Sequence, residues 1–398
     1  MKIIQLEVEG FRSLKSQTWS PGDLNVVIGP NASGKSNILR VLEMLNAAAS
    51  ERLGRYVQNE GGMEPLVWDG AAKGIRVRAK MTPIPPYVDH LKDALTYELC
   101  LARLGKSSSY RIDHELLSNF SKVEAEEMRV PLKLLIERDP QHAVVFFDSQ
   151  RVEAPDEAVS QEEAVLGMAG GPFAANKLVH EFQKELASWR VHQDFQTNSQ
   201  ARIRSPQVAR AESQVSTDGQ NLIAVLHTLY SESRQFKKEV NKAMRAAFGE
   251  DFEELLFPPD ADQRIQMQIR WRSLQRGRSA ADLSDGTLRF LFLLAVLANP
   301  SPAPLIAIDE PETGLHPSML PIVAEYAREA ANKAQVIFTT HSPEFLSAFG
   351  DGAPTTTVVE CREGESVLRV LSGDTLAYWL KDYTLGELYR SSELEAMR

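Results

Sequence analysis

The first residues, Met1-Lys2-Ile3-Ile4-Gln5-Leu6-Glu7-Val8, alternate polar and apolar side chains with the period of a strand. Residues 1 to 46 read as strand, turn, strand, strand, glycine-containing loop and helix, with Leu24-Asn25-Val26-Val27-Ile28 as the strand that runs into the loop. From about 70 to 150, β-rich runs at Gly74 to Lys80, Leu95 to Leu104 and Ala143 to Phe147 are separated by Pro83-Ile84-Pro85-Pro86 and Ser107-Ser108-Ser109, which punctuate strands. The pattern then changes to a helical period, with helices expected at 174 to 192, 218 to 231 and 233 to 248 around a polar stretch at 194 to 216. After Pro258-Pro259 the run Arg264 to Arg272 alternates in period two, and a helix from Asp285 and strands from Leu305 and Val336 follow. The expected division is a first lobe at 1–151, a helical insertion at 152–258 and a second lobe at 259–398, in an α/β fold. No internal repeat or long low-complexity tract points to a solenoid.

A chain of 398 residues, 43% hydrophobic and 25% charged, can bury a sizeable core. Its longest apolar run, Phe290 to Ala298, stops at Asn299-Pro300, far short of the roughly 20 residues that cross a bilayer. The N-terminus lacks the continuous apolar stretch of a signal peptide, so no membrane partner and a cytoplasmic location are expected. Cys100 and Cys361 follow neither metal-ligand nor redox spacing. A net charge of −10 excludes a surface that is basic everywhere, yet leaves room for a local basic patch.

Chemistry concentrates in four segments. Gly29-Pro30-Asn31-Ala32-Ser33-Gly34-Lys35-Ser36 fits the phosphate-binding pattern G-x-x-x-x-G-K-[ST] between an expected strand and an expected helix. There, backbone amides and the helix N-terminus can cradle phosphates, Lys35 can reach the β and γ phosphates, and Ser36 can hold Mg²⁺. Leu305-Ile306-Ala307-Ile308-Asp309-Glu310 reads as a buried strand with two carboxylates at its C-terminal end: Asp309 for Mg²⁺ and Glu310 as the general base that polarises water. Leu283-Ser284-Asp285-Gly286-Thr287 leads into an apolar helix with Ser284 as its N-cap. It makes a second anion-accepting helix start, and because one nucleotide already has its cradle at 29 to 36, the second should serve another copy's nucleotide. Val336-Ile337-Phe338-Thr339-Thr340-His341 is an apolar strand expected beside the Asp309 strand, bringing His341 to the γ-phosphate.

In this order the loop, LSDGT, IAIDEPETGLHP and TTHSPEFL resemble the head domains of ABC-type ATPases, in the branch that contains the SMC, RecF and OLD-nuclease proteins. The opening KIIQLEVEGFRSL and the Asp-Gly-Thr of the signature are similar to that branch, unlike the Gly-Gly-Gln of transporters. Stand-alone predicted ATPases of about this length are similar also in Tyr383 to Leu388 and in Ser216-Thr217-Asp218-Gly219-Gln220-Asn221-Leu222. The resemblance implies a P-loop sheet with an antiparallel β subdomain, and ATP with Mg²⁺ as cofactors. It makes Gly29, Asn31, Ser33, Gly34, Lys35, Ser36 and Asn37 the Walker A contacts, and Asp309 with Glu310 the Walker B pair. Ser284, Asp285 and Gly286 become the signature, His341 the switch histidine and Glu312 to His316 the D-loop. Gln150 is the Q-loop candidate and a metal contact, with Arg151 as its alternative.

The resemblance further implies an ATP-hydrolysing regulatory protein that pairs head to head with itself, or in a higher oligomer, and gates a separately encoded effector such as a nuclease or toxin in bacterial antiviral defence. A long heptad arm of the SMC kind is missing from the middle of the sequence, and so is a metal-binding Toprim segment after His341. The rival expectation is a RecF-like clamp on DNA, with Arg264, Arg270, Arg272, Arg276 and Arg278 as a phosphate-contacting stripe around Trp271. A self-sufficient nuclease would need a carboxylate cluster outside the ATP site, and the sequence offers none.

Overall fold

The computed structural model describes residues 1–86, 94–105, 108–147, 150–153, 160–170, 176–260, 263–350, 352–371 and 374–396. They fall into two compact units that interleave along the chain, one of 1–22, 29–189 and 357–370, the other of 23–28, 190–356 and 371–398. Among the described residues no helix is long and apolar enough to cross a membrane.

The first unit is built on an antiparallel sheet of eight strands in the spatial order Leu14–Trp19, Ile3–Phe11, Gly74–Met81, Leu95–Arg103, Tyr110–Ser118, Leu134–Arg138, Ala143–Phe147, Gln150–Glu153. Its alternation is plain in Gly74–Met81, where Ile75, Val77, Ala79 and Met81 are buried and the residues between them are half-buried. Arg76 and Arg78 on the other face straddle Glu98 of the neighbouring strand at 2.8 and 3.0 Å, a cross-strand charge pairing that holds register. Helix Lys35–Ala49 packs against helix Lys177–Ala187. The expected helix at 174 to 192 ends early because Asn46, buried in Lys35–Ala49, donates its amide to the carbonyls of Leu186, Ala187 and Trp189 at 3.0, 2.9 and 3.3 Å. Carbonyls at a helix C-terminus lack internal partners, so one side chain satisfies the end and releases Arg190–His192 to become a strand.

The second unit holds a parallel sheet, Arg190–His192, Leu305–Asp309, Gln335–Thr340 and Leu24–Ile28 in that order. Val26, Ile306, Ala307, Ile337 and Phe338 are all at most 1% exposed, as expected for strands covered on both faces. Helix Leu320–Ala331 makes the crossover between the two central strands. Helix Asp285–Leu297 is apolar on nearly every side and correspondingly buried. Helices Leu222–Glu232 and Arg234–Phe248 lie close to the expected positions. The alternating run at 264 to 272 is not one strand. Arg264–Ile265 pairs with Gln207–Val208 and Pro259–Asp260, while Gln268–Trp271 pairs with Phe252–Leu256 and Arg278–Ser279. The switch of partners at Gln266 and Met267 removes Arg264 from the arginine stripe, and Arg270 and Arg272 face Glu254 and Glu250 at 3.6 and 3.8 Å.

His192 is only 2% exposed, edge-on to Phe292 of the buried helix at 5.0 Å between ring centres, and Phe195 stacks on the same ring at 4.3 Å. Its Nδ1–H donates to the Thr217 carbonyl at 3.1 Å, which in the neutral imidazole leaves the lone pair on Nε2. Burial drives its pKa down to about 4.

Two expectations follow. Asn46→Ala should lower the free energy of urea unfolding by about 2–3 kcal/mol, because buried carbonyls lose their donor; a loss under about 0.5 kcal/mol would show the helix end finds other partners. For His192 the unfolded chain takes up a proton below pH of about 6.5 that the folded chain refuses until about 4. Stability should therefore fall by up to about 3 kcal/mol as pH drops through that window, and His192→Phe should remove this part of the slope. Equal slopes in both proteins would mean His192 is protonated in the fold.

Candidate nucleotide site

In the first unit the phosphate-binding pattern forms a tight loop ahead of helix Lys35–Ala49. Gly34 holds the N-cap position with φ +99°, where a Cβ would collide with the hydroxyls of Ser366 and Ser13. A glycine cap has no side chain to satisfy the first turn, which leaves the turn's amides directed at whatever lies before the helix. Lys35 is 7% exposed and its Nζ donates to the carbonyls of Gly29 and Pro30 at 2.8 and 2.9 Å, so the ammonium is drawn over the loop. Ser33 is buried, and its hydroxyl has no hydrogen-bond partner among the described residues. Asn37 donates to the Ser13 hydroxyl at 2.7 Å, and the Ser366 hydroxyl donates to the Ser33 carbonyl and accepts from the Ser13 hydroxyl, both at 2.6 Å. Asn37 thus braces the loop from behind, whereas Asn31 is exposed on it. Amides, an ammonium and hydroxyls in this arrangement suit a polyphosphate.

In the second unit Asp309 ends its strand beside Thr339, whose hydroxyl donates to the Asp309 carboxylate. Glu310 turns the chain with φ +46°, a left-handed conformation that is strained for a residue with a Cβ. Its amide is fixed by the Thr339 carbonyl at 3.0 Å, which turns the carboxylate toward His341. Glu310 Oε1 and His341 Nδ1 lie 3.0 Å apart, both partly exposed. The expected neighbouring strands therefore bring the candidate base and the candidate switch histidine into direct contact. Glu312 accepts from the Thr340 hydroxyl at 2.5 Å, and burial raises its pKa despite that bond. His316 caps a short turn through Ser318, and among the described residues no group of three or more His, Cys, Asp or Glu side chains could hold a metal by itself. Asp309 and its hydroxyl partner are hard oxygen donors, the chemistry that Mg²⁺ prefers when phosphate oxygens complete its shell.

The signature turn is as ordered as the carboxylates. Ser284 Oγ accepts from the Thr287 amide at 3.2 Å, the expected N-cap. Gly286 lies so close to the Gly314 carbonyl that a Cβ would sit 2.5 Å from it, which presses the Ser284 turn against the loop at 312–316. Asp285 is paired with Arg204 at 2.6 Å, and the same guanidinium donates to the carbonyls of Ala280, Ala281 and Leu283. Nothing in the local sequence marks Arg204, which acts across a long separation in the chain. Next to Asp309 and Glu310 a cavity of about 140 Å³ is walled by His192, Phe195, Arg289 and Thr313. Buried His192 Nε2 has no partner among the described residues. Gln150 opens the last strand of the antiparallel sheet opposite Phe147, and its side chain, like that of Arg151, lies outside the described part of the structure.

The family described as "AAA domain, putative AbiEii toxin, Type IV TA system" matches residues 24–78 and 134–347, more than half of the chain. An OLD nuclease of Thermus scotoductus is 21% identical over 348 residues, 86% of this chain and 59% of that protein. The DNA replication and repair protein RecF of Moorella thermoacetica is 35% identical over 78 residues, 19% of each chain. The chain thus spans about three-fifths of the one relative and a fifth of the other. Among solved structures, an Smc head bound to the C-winged helix domain of ScpA superposes with a TM-score of 0.59 at 15% identity, covering 95% of this chain and all of that one. An Smc head with an extended coiled coil from Pyrococcus furiosus, bound to the C-terminal domain of ScpA, gives 0.53 at 14% identity over 96% and 99%. The chain belongs to this family of AAA domains, is related to the OLD nuclease and RecF proteins, and has the fold of an SMC head.

Proposed function

We propose that the chain binds ATP with Mg²⁺, hydrolyses it between two copies joined head to head, and uses that cycle to gate a separately encoded effector. The observation that carries this reading is the pair of prepared anion-accepting helix starts, Gly34 with Lys35 and Ser284 with Gly286, where one nucleotide needs a single cradle. Lys35, Ser33 and the amides before helix Lys35–Ala49 hold the phosphates, with Gly29 and Asn31 shaping the loop. Ser36 and Asp309 hold the metal, with Gln150 as a further oxygen donor to it. Bound Mg²⁺ neutralises phosphate charge as the terminal bond breaks. Glu310 takes the proton from the attacking water, and His341, in contact with Glu310, orients that carboxylate and meets the terminal phosphate. Ser284, Asp285 and Gly286 face the nucleotide of the partner copy, held in shape by Arg204. A link to toxic or nucleolytic action is in keeping with the family description, "putative AbiEii toxin, Type IV TA system", and with the likeness to an OLD nuclease; that the effector is a separate protein rests on the sequence resemblance. A defence role belongs to the same reading.

DNA as the direct partner is less well served, since Arg264 stands apart from the other arginines and Arg270 and Arg272 are paired with glutamates.

Glu310→Gln should still bind ATP but lower turnover by about 10²-fold or more, and with ATP and Mg²⁺ it should sediment as a dimer. Turnover close to wild type would remove Glu310 as the base. A protein that stays monomeric with ATP at micromolar concentration would refute the paired heads. Mass spectrometry of what co-purifies with the tagged variant from native cells should show a stoichiometric protein; abundant DNA with no protein partner would favour the clamp.

A further inference from the structure

The segment Ser216 to Leu222 and the polar stretch before it supply Phe195, Arg204 and Thr217 to the contacts described above. Together they wall a second and larger groove, of about 610 Å³, within the second unit. Three arginines converge on it from separate places in the chain, Arg202 and Arg210 from the polar stretch and Arg264 from the short strand beside Gln207–Val208. All three are exposed, and among the described residues no ion pair or side-chain hydrogen bond engages their guanidinium groups. The two carboxylates in the wall are already occupied. Glu212 accepts from the Asn221 amide, and Asp218 accepts from the Ser216 hydroxyl at 2.5 Å and the Gln220 amide nitrogen at 3.1 Å. The groove therefore keeps a surplus of cationic donors that its own acids do not quench.

Guanidinium groups with this freedom bind phosphate oxygens through paired hydrogen bonds. Carboxylate and amide groups among them supply acceptors and donors for hydroxyls and ring edges, which a bare phosphate would not use. The volume lies in the range of small-molecule sites and suits one nucleotide.

Two connections lead from this groove to the proposed ATP chemistry. Arg202 lines the groove, and two residues on, Arg204 clamps Asp285 and the carbonyls that shape the signature turn. Ser216 and Asp218 line it as well, and Thr217 between them accepts the hydrogen bond that orients His192 in the wall of the cavity beside Asp309 and Glu310. We propose that the Arg202, Arg210 and Arg264 groove binds a single phosphorylated nucleotide as an effector, and that its occupancy changes ATP turnover through the Arg204 and Thr217 contacts. The binding claim is independent of the ATP reading; the coupling claim rests on it.

The test uses the full chain carrying Lys35→Ala, which removes the loop lysine, and titrates AMP, GMP, CMP and UMP by calorimetry and ligand-detected NMR. At least one monophosphate should bind, and Arg202→Glu with Arg210→Glu should weaken it by about tenfold or more with unchanged thermal unfolding. No binding, binding untouched by the double substitution, or binding only of inorganic tripolyphosphate or oligothymidylate would overturn the proposal. In the wild-type chain the same monophosphate should shift ATP turnover by about fivefold or more, a shift lost in the double variant. Turnover that ignores the bound monophosphate would overturn the coupling. A chain that binds the monophosphate yet hydrolyses no ATP would refute the function proposed above and leave the groove's assignment standing.

Discussion

Two adjacent carboxylates at the end of a buried strand set the terms for the second unit. Asp309 and Glu310 follow four apolar residues that are at most 3% exposed, so their charges emerge at the strand end, where the buried sheet gives way to partly exposed chain. Like charges so close are stable only if each is given its own partner and direction. Thr339 serves both, donating its hydroxyl to Asp309 and accepting the Glu310 amide at its carbonyl, and the left-handed turn at Glu310 sends the second carboxylate away toward His341. The register of one parallel pairing, Asp309 opposite Thr339, thereby sends the two adjacent carboxylates in different directions. A one-residue slip would exchange the faces and lose the arrangement.

The same logic explains why the motifs were legible before the fold. Each is a strand end or a helix start, where the backbone itself supplies the chemistry and a few residue types suffice. The loop at 29 to 34, the Ser284 cap, the Leu305–Asp309 strand and its neighbour Gln335–Thr340 all lie where local pattern puts them. The antiparallel strands of the first unit were readable for a similar reason, since one face is covered and alternation survives in the sequence.

What pattern could not reveal is held by contacts between distant segments. The helix that runs on to residue 192 by periodicity is stopped at Ala187 by Asn46, far away in the chain. The run from Arg264 to Arg272 alternates as one strand would, but its two halves answer to different partners, so period two was preserved while continuity was not. Arg204 sits in a polar stretch that composition reads as loop, and only the folded chain shows it gathering Asp285 and three carbonyls. His341 was placed by its strand, but its contact with Glu310 depends on the turn that Glu310 itself makes.

The polar stretch is therefore better understood as a support for the Ser284 turn than as a spacer. A bare N-cap would order the helix start, since Ser284 already satisfies the Thr287 amide. Arg204 adds a constraint that helix formation does not require, fixing Asp285 and the approach to the cap from outside the motif. Thr217 likewise fixes the tautomer of a histidine that touches the same helix further along, through Phe292. Both ties come from the segment between 200 and 222, and both end on the helix that begins with the signature. A movement of that segment would reach the helix at its first turn and along its flank together, which gives a regulatory signal two levers on one rigid element.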